Sequence, residues 1–431
     1  MVRTYSHELK QGNVLVQGWV ENIRKMGSLA FLTLRDREGL MQITLKKGSV
    51  PEEYFKLLSS MNKEDCVSVE GDAKKSSYSK LGFEIYPKKI DIVSKAETPL
   101  PIDTGAVKHT LKDKRFDYRF LDMRDPKIQA IFRIRDVVFT KMREYLEGNK
   151  FIEIHTPVIQ AAGAEGGATL FGFNYYQHKA FLRQSPQLYK QMMMASGLDR
   201  VYEIGPAFRA EKFHTRRHVS EFISVDFEQG WINSEEDVMK TTEELIHHVY
   251  KGVKKDCGVS LDILEIKIEM PKLPFKRYTY DEVLETLAKH GTKLKWGSDL
   301  EDAEEKKFGE VAGKKGHEWY FITKYPAEMK PFYIMAEPDG KYSRGFDLDC
   351  SGMEIVSGGQ REHRTKELIE RMKAAKLKPK DFSFYTDAFR YGMPPHGGIG
   401  LGGDRLVQKI VGMENIKETI LFPRTPEKVT P

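Results

Sequence analysis

The chain has 431 residues, 40% hydrophobic and 31% charged, with a formal net charge of +6; this is core enough for two or three domains, and its mild basicity permits nucleic acid without specifying it. Cys66, Cys257 and Cys350 are few and far apart, which excludes a disulfide framework or a cysteine-type metal site and suits a reducing cytoplasm. No apolar run approaches the ~18 residues of a membrane span, and the opening MVRTYSHELKQGN lacks the apolar centre of a secretory signal.

From residue 13 to about 95, five stretches alternate apolar and polar residues: Val14–Val20, Leu29–Asp36, Leu40–Leu45, Cys66–Gly71 and Phe83–Pro87. Glycine, Asp-Arg-Glu-Gly and lysine-rich turns break them, which predicts strands. Pro51–Met61 reads as a helix between the third and fourth. Five strands with a helix in that slot is the layout of an OB-fold barrel, whose open face takes single-stranded nucleic acid. Phe31 and Gln42 are candidates to stack on a base and read its edge, although alternation alone favours Phe31 as a core residue. Residues 97–114 carry Pro, Gly and Lys without a period. A boundary is expected near residue 104, with a linker over 105–125 and a second domain over 126–431.

Pro126–Glu147 predicts a long amphipathic helix, with Ile128, Ile131, Val138 and Met142 at helical spacing and Gly148 as its cap. A strand over Phe151–Ile154 ends at Pro157. The glycine-rich loop Ala161–Ala168 holds one acid, Glu165, and reads as a mobile lid or a loose connection. Ser185–Ser196 predicts a helix with Leu188, Met192 and Met193 inward and Gln187, Lys190 and Gln191 along a polar edge.

Glu203–Glu228 predicts strand, loop, strand. Alternation puts Ala207, Arg209 and Glu211 on one face of the first strand, and Phe222, Ser224, Asp226 and Glu228 on one face of the second. Ile223, Val225 and Phe227 face the other way, toward a core. The loop Lys212–His218 is cationic and includes Arg217. A guanidinium on a rigid strand, an aromatic ring and a basic loop suit a nucleoside triphosphate; the plainer reading is a hairpin with a solvated basic turn. A helix over Glu235–Val253 follows. Residues of about 260–335 read as an inserted region of mixed elements, and its charged run Asp299–Lys307 as a solvated helix face. Phe346–Cys350 and Met353–Ser357 predict two strands turning at Ser351-Gly352. Gly397–Gly403 then runs into Asp404-Arg405, a glycine-rich strand feeding a helix N-terminus, where backbone and dipole welcome an anion. It is neither a Rossmann nor a Walker pattern.

Three signals thus fall in order: a helix and strand ending in Pro157, the Phe208-Arg209-Ala210-Glu211 hairpin running to Phe222, and the glycine strand ending at Asp404-Arg405. This resembles the three motifs of class II aminoacyl-tRNA synthetases, and the barrel resembles the anticodon-binding domain of the aspartate, asparagine and lysine subclass. Gln184–Gln191, Glu354–Arg361 and Tyr391–Gly398 are most similar to archaeal and eukaryotic aspartyl-tRNA synthetases. The resemblance implies an α+β chain: an OB-fold barrel, then a catalytic domain built on an antiparallel sheet flanked by helices. It implies ATP and Mg²⁺ as cofactors, L-aspartate and tRNA-Asp as partners, tRNA-Asn as an open second tRNA, and a homodimer with Pro157 at its interface. It further implies that Arg209 binds the α-phosphate, Phe222 stacks on adenine and Arg405 clamps the γ-phosphate, with Glu211, Arg217, His218 and Gly402 completing the ATP site. Asp347 and Glu354, with Ser357, would hold Mg²⁺. Gln187 and Asp226 would take the substrate ammonium, under Glu165 of the closing loop, and Lys190 and Arg361 the side-chain carboxylate, with Ser357 beside them. Phe31 and Gln42 would stack on and read the central anticodon base, which reverses the core reading of Phe31.

Two cations suit a carboxylate, and an amide would leave a lysine poorly partnered, which favours aspartate. Thr215–His218 and Phe422–Pro426 resemble the asparagine enzymes equally, and Asp404 replaces the usual glutamate before Arg405. The alternatives are an asparagine–tRNA ligase, or a silent paralogue that binds tRNA or nucleotide.

Overall fold

The computed structural model describes residues 2–77, 79, 82–105, 110–161, 170–210 and 215–431, and divides into two compact units, Met1–Asp103 and Thr104–Pro431.

In the first unit, β1 (Gly12–Met26), β2 (Leu29–Arg35), β3 (Leu40–Lys46), α1 (Glu52–Ser59), β4 (Cys66–Lys75) and β5 (Phe83–Ser94) follow in order. The strands close a barrel in the order β1-β2-β3-β5-β4. Period-two alternation sends Ala30, Leu32 and Leu34 inward with Met41, Ile43, Val67 and Val69. Phe31 is out of phase with that set and half-buried on the outer surface, so the core reading of Phe31 is wrong. Gln42 stands on the adjacent strand, where Phe31 pairs with Thr44 and Gln42 with Thr33. The Gln42 amide donates from Nε2 to Glu84 Oε1 at 3.0 Å.

The second unit begins with α2 (Lys112–Asp117) and α3 (Arg119–Asp122), in a segment expected to be a linker. Two helices of 6 and 4 residues are too short to show a period. Buried charge pins them: Arg115 Nε donates to Asp122 at 2.8 Å, Arg115 Nη2 to Glu418 at 3.2 Å, and Arg119 Nη2 to the Glu418 carbonyl at 3.0 Å.

There follow α4 (Pro126–Gly148), β6 (Ile152–Glu153), β7 (Ile159–Gln160), β8 (Gly172–Tyr175), β9 (His178–Leu182), α5 (Gln187–Met192), β10 (Arg200–Phe208) and β11 (Glu221–Gly230). Then come α6 (Glu235–Asp256), α7 (Gly258–Leu264), β12 (Lys276–Thr279), α8 (Tyr280–Lys289), α9 (Asp302–Lys314), β13 (Trp319–Thr323), β14 (Gly345–Cys350) and β15 (Glu354–Gln360). The chain ends with α10 (Thr365–Ala374), α11 (Ser383–Arg390), β16 (His396–Gly402) and α12 (Gly403–Ile410).

An eight-stranded sheet runs β12-β13-β14-β15-β16-β11-β10-β6. Its middle pairs are antiparallel, while β10–β6 and β12–β13 are parallel. The region read as an insertion therefore supplies two strands of this sheet. One face packs Val225, Phe227, Leu348, Val356, Ile399 and Leu401 against α4 and α6 through Ile131, Ile134, Val138, Leu245 and Val249. The other face carries the polar residues.

Candidate active site

Sheet register sets the site. Glu203 pairs with Asp226, Asp226 with Gly400, Gly400 with Ser357 and Ser357 with Asp347. Strand neighbours point the same way, so this row crosses five strands on the polar face. Above it lies a cavity with about 1000 Å³ of open space. Gln187, Arg209, Arg217, His218, Phe222, Asp226, Glu354, Ser357, Arg361, Gly402 and Arg405 all line it. These residues, dispersed over more than 200 positions of the chain, meet in one place.

At one side the Arg209 guanidinium stands 5.5 Å from the Phe222 ring centroid, and its amide donates to Ser220 O at 2.9 Å. Arg405, in the first turn of α12, donates from Nη1 to Glu354 O at 2.9 Å, and its Nη2 is 3.2 Å from His218 Nε2. The other nitrogen, His218 Nδ1, is 2.7 Å from Thr215 Oγ1, so the imidazole is held from both ends. Asp404 anchors the start of α12, accepting from Ile223 N at 2.8 Å and from Arg135 of α4 at 2.7 Å. The shorter acid at this position thus ties the helix to β11 and to α4.

Beside this end lies a buried charge network. Lys190 Nζ reaches Asp226 Oδ1 at 2.9 Å, the Ile399 carbonyl at 2.6 Å and Glu228 Oε2 at 3.6 Å. Arg361 grips Glu228 through Nε at 2.9 Å and Nη2 at 3.3 Å. Burial would raise the Glu228 carboxyl, but Arg361 and Lys190 hold it below the usual carboxylate range. Two cations therefore meet two carboxylates. Lys190, expected to take the side-chain carboxylate of the substrate, is 1% exposed and paired with Asp226 within the chain. The polar edge of α5 is likewise not a surface, since Gln187, Lys190 and Gln191 are all buried while Met192 and Met193 are only half-buried. Gln187 Nε2 is buried without a hydrogen-bond partner among the described residues, a polar end turned to the cavity. A glycine makes the network possible, because a Cβ on Gly398 would overlap Phe227 O and the Glu228 carboxylate.

Sequence reading missed several groups. Alternation puts Glu228 on the cavity face, and nothing in the sequence marks it as the partner of Arg361. Lys330 lines the cavity and donates to both oxygens of Asp347, at 2.8 and 2.7 Å. Asp347 itself does not line the cavity, and is reached past that ammonium. Tyr333 lies 5.6 Å under the Arg361 guanidinium. Both Lys330 and Tyr333 come from the region without a readable period, so nothing in the sequence pointed to them. The run Asp299–Lys307 is not merely a solvated face: Glu305 is half-buried and accepts from Arg217 Nη1 at 3.1 Å. Burial and the Glu354 carboxylate push Glu305 up to about 8, against the pull of Arg217. Buried His396 is pushed down to about 4 by its burial, and stays neutral between Gln191, 3.3 Å away, and the Pro394 carbonyl at 2.9 Å. Glu165 and Glu211 lie outside the described residues, and Phe31 and Gln42 belong to the first unit.

The family described as tRNA synthetases class II (D, K and N) matches residues 111–426, and an OB-fold nucleic acid binding domain matches residues 14–93. The chain belongs to the class II tRNA synthetases of the D, K and N group. It is 48% identical to the aspartate–tRNA(Asp) ligase of Pyrococcus abyssi, over 100% of both chains. It is 47% identical to the aspartate–tRNA(Asp/Asn) ligase of Methanopyrus kandleri, over 97% of this chain and 96% of that one. Among solved structures, the asparaginyl-tRNA synthetase of Pyrococcus horikoshii with asparaginyl-adenylate is similar at TM-score 0.93 and 32% identity, over 100% of both chains. The aspartyl-tRNA synthetase of Entamoeba histolytica is similar at TM-score 0.87 and 29% identity, over 100% of this chain and 93% of that one. The protein is thus an aminoacyl-tRNA synthetase with an OB-fold unit for nucleic acid.

Among the described residues, no group of three His, Cys, Asp or Glu stands ready for a metal. This synthetase still offers donors that suit Mg²⁺, which takes one or two carboxylates and leaves the remaining positions to water and phosphate. Burial and the neighbouring Asp347 hold the Glu354 carboxyl above its usual range, and a divalent cation would relieve that repulsion. Ser357 opens onto the same cavity. Glu354 and Ser357 fit the ion as they stand, and Asp347 fits it once Lys330 gives up its oxygens.

Proposed function

We propose that the synthetase is an aspartate–tRNA ligase, which activates L-aspartate with ATP and passes the aspartyl group to the 3′ end of tRNA-Asp. The observation that carries this reading is one cavity lined both by Arg209, Phe222 and Arg405 and by Arg361 of the buried charge network. Full-length similarity to aspartate–tRNA ligases supports the choice of amino acid.

The α-carboxylate of aspartate attacks the α-phosphorus of ATP, the bond to the β-phosphate oxygen breaks, and pyrophosphate leaves. Positioning and charge neutralisation dominate such a step. Phe222 stacks on the adenine, with Arg209 over the α-phosphate. Arg405, steadied by Glu354 O and His218, meets the far phosphates. Asp347 and Glu354, with Ser357, would hold Mg²⁺, which neutralises phosphate charge when bound. Asp226 offers an acceptor to the substrate ammonium. Gln187 does so with its terminal amide turned to present oxygen. Arg361 faces the side-chain carboxylate, and Lys190 acts from beneath by fixing Asp226. A hydroxyl of the tRNA's terminal ribose then attacks the aspartyl carbonyl, and AMP leaves. In the barrel, Phe31 and Gln42 stack on and read an anticodon base. We further propose a homodimer: β6 is a sheet edge, and Ile152 and Ile159, 47% and 44% exposed, flank Pro157 on a face suited to a second copy.

Pyrophosphate exchange tests the reading. Exchange with aspartate is expected; exchange with asparagine alone shows an asparagine–tRNA ligase, and exchange with neither shows a silent paralogue. Charging of purified tRNA-Asp and tRNA-Asn then sorts the chain between the two kinds of relative, and light scattering tests the dimer.

A further inference from the structure

We propose that Glu305 on α9 is a positioning residue for the triphosphate, holding the guanidinium of Arg217 against the phosphate end of the cavity. The inference rests on the reading of that cavity as the ATP site.

Arg217 lines the cavity and Glu305 does not. Both contacts from α9 fall on the same nitrogen: Nη1 is 3.1 Å from Glu305 Oε2 and 3.6 Å from Asp302 Oδ1. The Nε and Nη2 edge of Arg217 has no partner among the described residues. A guanidinium anchored by one nitrogen and open along its fork is prepared for two phosphate oxygens. The Arg217 and Glu305 side chains are each 17% exposed, against 52% for Asp302. Glu305 is therefore the more desolvated of the two anchors, and an exposed pair such as the second contributes little.

The anchor is rigid because its helix is. A Cβ on Gly352 would stand 2.5 Å from Glu305 O and 2.8 Å from Lys306 Cα, and a Cβ on Gly309 would overlap the backbone of Gly352. Gly352 also takes φ +72°, a region that glycine occupies without strain. So α9 lies in backbone contact with the turn that leads into Glu354. The loop arginine is thereby referenced to the same turn that positions Glu354, and Arg405 in turn donates to Glu354 O. Without Glu305, a long side chain on a loop must be ordered by the nucleotide itself, at the expense of affinity.

The test is pyrophosphate exchange by the full chain, comparing wild type with Glu305→Ala, Glu305→Gln, Arg217→Ala and the Glu305→Ala/Arg217→Ala double variant. Glu305→Ala is expected to raise KM for ATP roughly tenfold, as for loss of one charge-assisted hydrogen bond, with KM for aspartate changed by less than about twofold. Glu305→Gln, which keeps an acceptor oxygen in place, is expected to recover most of that loss. In the Arg217→Ala background, removing Glu305 is expected to add nothing. An unchanged KM for ATP in Glu305→Ala, or an equal loss in both backgrounds, overturns the proposal. If Glu305→Ala fails to fold, Glu305→Leu, which fills the space without an acceptor oxygen, takes its place, and an unchanged KM for ATP in it, or a rise in KM for aspartate equal to that for ATP, overturns the proposal. A wild type without amino-acid-dependent exchange sinks the ATP-site reading and this proposal together; an active wild type with an indifferent Glu305 sinks only this one.

Discussion

Lys190 illustrates what residue types reveal and what they hide. Its presence three positions after Gln187 was readable, and so was a carboxylate as its ligand. Its partner was not, because Asp226 lies 36 residues away and meets it only through the fold. The consequence is measurable. Among the described residues, Lys190→Leu leaves buried Asp226 only Ser224 Oγ to satisfy it, and an uncompensated buried charge costs about 3–5 kcal/mol. The variant is expected to lose aspartate-dependent exchange and also to unfold at lower urea. Adding Asp226→Asn to it is expected to recover stability but not exchange. A single variant as stable as wild type would contradict the network. Arg209, Phe222, Glu354 and Arg405 were legible because each stands in a short pattern with a chemical reason. Lys330 and Tyr333 were not, since only the packing of distant segments brings them to the cavity, and Glu305 was not, since it meets the site only through Arg217.

Among the elements, the strands of the hairpin and the glycine strand declared themselves by period two and by composition. The helices α2 and α3 did not; Arg115, Arg119 and Asp122 hold them together with Glu418, which lies 303 positions from Arg115 and 299 from Arg119. Strand β16 shows why its glycines matter. Gly398 lies opposite Glu228, and its missing side chain is the space that the Glu228 carboxylate fills. Gly398→Ala is expected to cost about 1–3 kcal/mol by overpacking and to push Glu228 off Arg361. Thermal unfolding reads the first effect and pyrophosphate exchange the second. A variant with normal exchange would show that the Glu228–Arg361 pair is dispensable.

At the scale of the molecule, the two units divide the labour: the barrel carries the candidate tRNA-reading face and the larger unit the chemistry. Phe31→Ala is expected to weaken tRNA charging roughly tenfold, within the ~1–3 kcal/mol that stacking on one base contributes. Pyrophosphate exchange needs no tRNA and should change by less than about twofold; a parallel fall in both would join what is here kept apart. The ordered strands of the barrel were readable from turns and alternation, whereas the register of the eight-stranded sheet was not, because pairing between residues as far apart as Ser224 and Gly402 leaves no local trace. That register has a consequence of its own. From Asp226 through Gly400 and Ser357 to Asp347 is three strand steps, each of about 4.8 Å, so the two carboxylates stand some 14 Å apart on a ruler graduated by backbone hydrogen bonds. No substitution can move those graduations; it can only change what is written at each mark. Enzymes built on this ruler can exchange one amino acid for another while their scaffolds stay superimposable.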